Sequence, residues 1–250
     1  MTNLAAFRKQ HSPSSKERDM SSGNVSAVLV HGAWADGSSW SKVIDGLKKQ
    51  GIDAVAAPLP LTSLSEDVAA LDRALERIEG PVVLAGHAYA GAVIGSSRSD
   101  KIRALVYVAA LAPDEGETVG DVFYRGEMHP LAPTLAPDRH GLIWLPLEAF
   151  AQAFAQDATQ QELAVLAAVQ RPISVSCIGE AVGRPLWKDR PSWFLIAEQD
   201  RMINPETQHF MAVRMNAHVR SYQADHTPIV TAPEAVTHVI VEAAQAVSAR

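Results

Sequence analysis

Two residues in the last quarter of the chain have the types and spacing for proton transfer. Asp200 lies in Glu198-Gln199-Asp200-Arg201, just after the apolar run Ser192–Ala197. His226 lies in Ala224-Asp225-His226-Thr227, just after the run His218–Gln223. An acid past one strand and a histidine past the next can meet above the edge of a parallel sheet. The carboxylate then holds the imidazole in one tautomer and stabilises its cation. His226 is therefore the candidate base and Asp200 its orienting acid. Glu198 and Asp225 are the rival carboxylates. Asp225 adjoins His226 in sequence, which turns the two side chains apart.

A second cluster surrounds Gly86-His87-Ala88-Tyr89-Ala90-Gly91. It follows the buried run Pro81–Ala85 and precedes a helix. Small residues at Gly86, Ala90 and Gly91 permit a sharp turn and close helix–strand packing. The turn lifts Ala88 above the carboxyl edge of the sheet, where ligands of open α/β sheets bind. His31-Gly32-Ala33-Trp34 follows the first strand in the same way. Backbone N–H groups of Ala33 and Tyr89 would then converge on one oxygen and stabilise charge developing there. The His31 side chain reads as structural. His87 reads as packing or bonding within its turn, and His209, His218 and His238 fall within or at the ends of regular elements. No histidine pair has i, i+4 spacing, so no metal is expected. No Gly-x-Gly-x-x-Gly is present, so no dinucleotide or other cofactor is expected.

The elements that must position these groups alternate. Strands are expected at Ser26–Val30, Ile52–Ala57, Pro81–Ala85, Ile102–Ala109, Ser192–Ala197 and His218–Gln223. Between them lie helical patterns such as Trp40, Val43, Ile44 and Leu47, opened by Ser38 as a cap. Ser63 and Glu66 have capping-box spacing, and Thr231-Ala232-Pro233-Glu234 opens the last helix. This is an α/β pattern with a mainly parallel six-stranded sheet flanked by helices. Residues 25–112 and 191–250 form its core. Residues 113–190 break the alternation with prolines, aromatics and two short helical stretches near Leu147–Phe154 and Gln160–Val169. They read as a small helical cap insertion over the carboxyl edge. Residues 1–24 are polar and read as a disordered tail.

Composition narrows the function classes. Hydrophobic residues are 47% and charged residues 20% of 250, with a formal net charge of -6. No clustered positive block offers a phosphate-binding surface, so nucleic acid is not an expected partner. No apolar run reaches the roughly 18 residues of a membrane helix, so a cytoplasmic location is expected. The single cysteine, Cys177, excludes an internal disulfide and is expected to lie away from the Ala88 turn. The partner class is a small molecule; oligomeric state is left open.

Jointly the motifs resemble those of the small cap-bearing α/β hydrolases, which include esterases and hydroxynitrile lyases. The similar segments are Val28–Trp34, the Gly86–Gly91 turn, Leu105–Ala110, Asp200-Arg201-Met202-Ile203 and Ala224-Asp225-His226. The resemblance implies an α/β-hydrolase fold, a nucleophile elbow at Gly86–Gly91, and an oxyanion hole from Ala33 and Tyr89. The family's elbow would carry serine at 88 and glycine at 90; this chain has Ala88 and Ala90. A methyl group cannot attack a carbonyl, so no acyl-enzyme can form at 88. Three readings follow. The chain is an esterase-like protein that works by His226–Asp200 general-base chemistry, an engineered Ser-to-Ala form of a serine carboxylesterase or related lyase, or a non-catalytic small-ligand binder. Trp34, Phe123, Tyr124, Trp144 and Trp187 are the expected substrate-binding residues, with Met128, Phe150 and Phe154 nearby. They favour a small apolar or aromatic substrate.

Overall fold

Residues 25–248 are described by a computed structural model. The segment expected to be a disordered tail, 1–24, lies outside them. The strands are β1 (Ser26–Val30), β2 (Ala54–Ala57), β3 (Val82–His87), β4 (Ile102–Val108), β5 (Leu142–Ile143), β6 (Ile173–Ser174), β7 (Ser192–Ala197) and β8 (His218–Tyr222). Six of them form one sheet in the order β2-β1-β3-β4-β7-β8, every neighbouring pair parallel. β3 and β7 are buried along their whole length, as strands covered on both faces must be. β8 ends the sheet and is the most polar strand, His-Val-Arg-Ser-Tyr, which suits an edge.

The helices are α1 (Ser41–Lys49), α2 (Leu64–Glu76), α3 (Ala90–Ser96), α4 (Val119–Phe123), α5 (Leu147–Ala149), α6 (Gln160–Val169), α7 (Val175–Gly179), α8 (Pro205–Arg214), α9 (Pro228–Thr231) and α10 (Pro233–Ser248). α10 packs on β1, β3, β4 and β7 beside α1, while α3 packs on β3 and β4 beside α2. The Ser63 hydroxyl accepts the Glu66 N–H and caps α2. Ser38, expected to cap α1, does not. α1 has no side-chain cap, and Asp36 caps the turn ahead of it: its carboxylate accepts both the N–H and the hydroxyl of Ser38. The residues Gly37–Trp40 then form a 3₁₀ turn ahead of α1. Thr231 likewise turns its hydroxyl to Asp225 and the Thr227 carbonyl.

Between β4 and β7 the chain forms α4 to α7 and the antiparallel pair β5–β6. Thr118 and Thr159 open α4 and α6 with reciprocal capping boxes. α4, α7, β5 and β6 escape sequence reading because segments of two to five residues carry no period to detect. Phe150–Phe154, expected as plain helix, is a π-helical turn, a distortion that recurs at functional sites.

Candidate active site

The acid and the histidine come together. β7 and β8 end side by side, and the loops beyond them are stitched by Glu198 N–H to Tyr222 O and Gln199 N–H to Ala224 O. Asp200 Oδ2 lies 2.8 Å from His226 Nδ1, and both side chains are buried. Asp200 accepts three further hydrogen bonds, from the Met202 and Ile203 amides on Oδ1 and from Gln208 Nε2 on Oδ2. Its orientation is thereby over-determined. The carboxylate accepts a hydrogen bond from the His226 Nδ1–H, so Nε2 keeps its lone pair. The rival carboxylates are engaged elsewhere: Glu198 with His209, and Asp225 with Asp157 N–H, Thr227 N–H and Thr231 Oγ1. Gln208 was not legible as a site residue. Its amide also donates to the Ile203 carbonyl and accepts the Ala197 N–H, so it locks the acid loop to β7. Nothing but its place on the buried side of α8 marked it.

Ala88 stands in the left-handed region at φ 51°, a strained position for a residue with a Cβ. Its neighbours hold it there. Its N–H donates to Val108 O, and its carbonyl accepts from Gly91 N–H and Leu111 N–H. Two glycines make the close approaches possible. A Cβ on Gly32 would come within 2.9 Å of His87 O and 3.0 Å of Ala88 Cβ. A Cβ on Gly91 would come within 2.3 Å of Leu111 O.

The carbonyl of one residue and the N–H of the next share a trans peptide plane and point in opposite directions. The Ala88 carbonyl is held by two donors, so the Tyr89 N–H is directed away from them. The Gly32 carbonyl is held by His31 Nδ1 at 3.0 Å, so the Ala33 N–H is fixed likewise. His31 Nε2 accepts the Leu59 N–H at 3.1 Å, which leaves the proton on Nδ1. Burial lowers the His31 pKa and keeps the ring neutral. Among the described residues no protein acceptor takes the Ala33 or the Tyr89 N–H.

His87 does more than pack within its turn. Its Nε2–H donates to the His226 backbone carbonyl at 2.7 Å and ties β3 to the histidine loop. Its Nδ1 is buried with no partner among the described residues. Burial, then the neighbouring His226, drive its pKa down to about 3 from 6.5. Below pH 6.5 the unfolded chain binds a proton that folded His87 refuses, so this contribution is lost as pH falls towards 3. At pH 5 the cost is about 2 kcal/mol. Between pH 7 and pH 5 the wild-type Tm should fall about 4–8 °C further than that of His87→Gln. Equal pH slopes in differential scanning calorimetry would contradict the assignment.

The Ala33, Tyr89, Ala88 and His226 residues line one cavity at the carboxyl edge of the sheet. It contains about 570 Å³ of space between atoms, open mouth included. The remaining lining is almost wholly apolar: Trp34, Leu111, Val119, Phe123, Leu135, Ile143, Ile173, Ile178, Met202 and Ile203, with Tyr124. Trp34 spends its Nε1–H on Ile143 O. Three of the five expected substrate-binding residues, Trp34, Phe123 and Tyr124, are therefore at the cavity. Trp144 and Trp187 are not, and both are corrections. Trp144 is 48% exposed and points to solvent. Trp187 is buried against Gly95 of α3, with its Nε1 on Pro113 O. Trp144 directly follows β5 and Trp187 lies a short turn ahead of β7, and sequence proximity to an aromatic-rich segment does not say which side a ring faces. Phe154 is not in the lining either; it packs tilted against the His226 ring at 5.3 Å and edge-on to the His87 ring at 6.5 Å.

Cys177 lies nearer the elbow than expected. Its Sγ is 3.6 Å from Asp67 Oδ2, which accepts the Tyr89 hydroxyl at 2.7 Å. Burial pushes the thiol up to about 12, so it is no nucleophile. Asp67 also accepts the Leu61 N–H, and burial raises its carboxyl above the usual range. This node anchors the residue after Ala88 to α2 and α7. Nothing in the sequence singles Asp67 out, because an acid in the first turn of a helix is ordinary.

Among the described residues no group of three or more His, Cys, Asp or Glu could hold a metal ion, and no helix is long and apolar enough to cross a membrane. The alpha/beta hydrolase family model matches residues 27–239. A curated relative, probable hydrolase R7 from Phoma sp., is 26% identical over 240 residues, covering 87% of this chain and 97% of its own. Among solved structures, a pyrethroid hydrolase from Sphingobium faniae superposes with TM-score 0.77 at 21% identity, over 91% of this chain and all of that one. A methylesterase from Arabidopsis gives 0.72 at 16% identity, over 88% and 99%. An extracellular alpha/beta-hydrolase from a Paenibacillus species gives 0.72 at 19%, over 88% and 98%. The family model spans most of the chain, including all six strands of the parallel sheet but the first residue of β1, and the protein belongs to the alpha/beta hydrolase family.

Proposed function

We propose that this protein is an esterase-like enzyme that works on a small apolar or aromatic carbonyl compound without a covalent intermediate. His226 is its general base, Asp200 orients that base, and the Ala33 and Tyr89 amides form the oxyanion hole. The observation that carries the reading is the buried 2.8 Å contact of His226 Nδ1 with Asp200. It leaves Nε2 as the lone-pair nitrogen of a ring lining the same cavity as the two amide-bearing residues. An apolar pocket with a few converging polar groups is the usual form of a small-molecule site. Ala88 excludes the acyl-enzyme route. Loss of the nucleophile alone leaves about 10³-fold acceleration from hole and binding in triad enzymes.

The test is turnover of a panel of short-chain aryl esters, lactones and cyanohydrins. His226→Gln should lower kcat about 10²-fold or more, with the fold verified by circular dichroism. The methyl at 88 also favours a second reading, a non-catalytic binder. In that case an apolar ligand raises the Tm with no turnover, and His226→Gln leaves its affinity unchanged.

A further inference from the structure

We infer that His226 removes a proton from the substrate itself, at the carbon beside the carbonyl of a small apolar ketone, and not from water. The inference rests on the general-base reading above and decides what the base acts on. The deciding observation is the polar inventory of the cavity. Among the described residues the buried side chains of its lining offer one lone-pair acceptor, His226, beside the unpaired N–H donors of Ala33 and Tyr89. The other buried polar side-chain atoms of the lining are taken. The Trp34 N–H is on Ile143 O, and the Tyr89 hydroxyl is on Asp67. The Gly32 and Ala88 carbonyls are held by His31, Gly91 and Leu111. Tyr124 is 58% exposed.

A hydrolytic water must be held beside the base while a carbonyl occupies the two amides. Ordered buried waters make about three hydrogen bonds. Here such a water finds one partner, the imidazole, against apolar walls. An enolisable ketone satisfies every polar group by itself. Its oxygen takes the two amides and its α-proton faces the base. Ala88 contributes only a methyl where a serine hydroxyl would compete for Nε2.

The step balances without a co-reactant. The α C–H bond breaks and the proton goes to His226 Nε2. The C–H pair forms the C=C bond, and the carbonyl π pair moves to the oxygen, which becomes an enolate held by the Ala33 and Tyr89 amides. The imidazolium formed is stabilised by Asp200. Return of the proton to the same carbon regenerates the ketone. Return to the γ-carbon of an unsaturated ketone shifts its double bond. Neither route oxidises or reduces anything.

The experiment uses the full chain in D2O with phenylacetone and 2-tetralone. Binding is first measured by the rise in Tm, then loss of the α C–H signal is followed by NMR. Exchange should exceed the buffer rate at the same pH by about 10²-fold and return to background in His226→Gln. Hydrolysis of p-nitrophenyl butyrate is followed on the same preparation. His226-dependent ester hydrolysis without exchange overturns the inference and leaves the general-base reading standing. Binding with neither reaction overturns both and makes the protein a binder. Failure of both ketones to bind overturns the substrate class. Should His226→Gln not fold, Asp200→Asn must still lower exchange, because it leaves the imidazole without its orienting carboxylate; unchanged exchange there also overturns the inference.

Discussion

Ala88→Ser should raise kcat/KM for p-nitrophenyl acetate about 10²- to 10³-fold over the wild type. The expectation rests on the groups around that position. The backbone at 88 already adopts the left-handed conformation, at φ 51°, so the new side chain adds no new strain. Ala88 and His226 line one cavity, and the His226 tautomer leaves Nε2 free to accept a hydroxyl proton. The Ala33 and Tyr89 amides are unpaired among the described residues. In triad enzymes, removing the serine costs up to about 10⁶ in kcat. A site never tuned around this serine should recover only part of that. Mass spectrometry should also detect a trapped acyl group on residue 88. Adding His226→Gln to Ala88→Ser should erase the gain, because the hydroxyl then has no base. A rise below about tenfold, with unchanged Tm, would show that the hole or the base is not competent. The proposed function would fall with it.

Gly91→Ala should destabilise the protein by about 3 kcal/mol, the upper part of the range for overpacking a filled site. For a chain of this size that is a Tm loss of roughly 6–12 °C. The added Cβ would stand 2.3 Å from Leu111 O and 2.9 Å from Ala110 Cβ. Neither can swing aside: Leu111 follows β4 in the packed centre, and its own N–H is bonded to the Ala88 carbonyl. Relief requires α3 to move off β4, which drags Ala88 and the Tyr89 amide with it. Gly51→Ala is the control. Its Cβ would meet nothing within 4 Å, so only its positive φ of 73° resists the change, a cost of about 1 kcal/mol. Equal Tm losses for the two variants would show that close packing at 91 is not what demands glycine.

Much of this molecule is legible along the chain because its signals are local. The strands β1, β3, β4 and β7 announce themselves as short apolar runs between breakers. The Gly86–Gly91 turn is a run of small residues at one strand end, and the order of Ala88, Asp200 and His226 follows from which strand each one trails. The cavity walls were not legible in the same way. Trp144 and Trp187 belong to the same aromatic-rich segment as Phe123, yet one faces solvent and the other packs on α3. Which way a ring turns depends on contacts between segments far apart in sequence.

The sequence by itself determined the sheet, the turn that presents residue 88, and the absence of a nucleophile there. Those follow from periodicity, small residues and the identity of one side chain. Only the tertiary structure decided that Asp200 and not Asp225 serves His226, and that Gln208 completes the hold on the acid. It alone tied His87 to the His226 carbonyl and Tyr89 to Asp67. The physical reason is the same in each case. A carboxylate or an imidazole can bond to any donor or acceptor within about 3 Å, and which one comes within reach is set by how the strands are ordered and the helices packed.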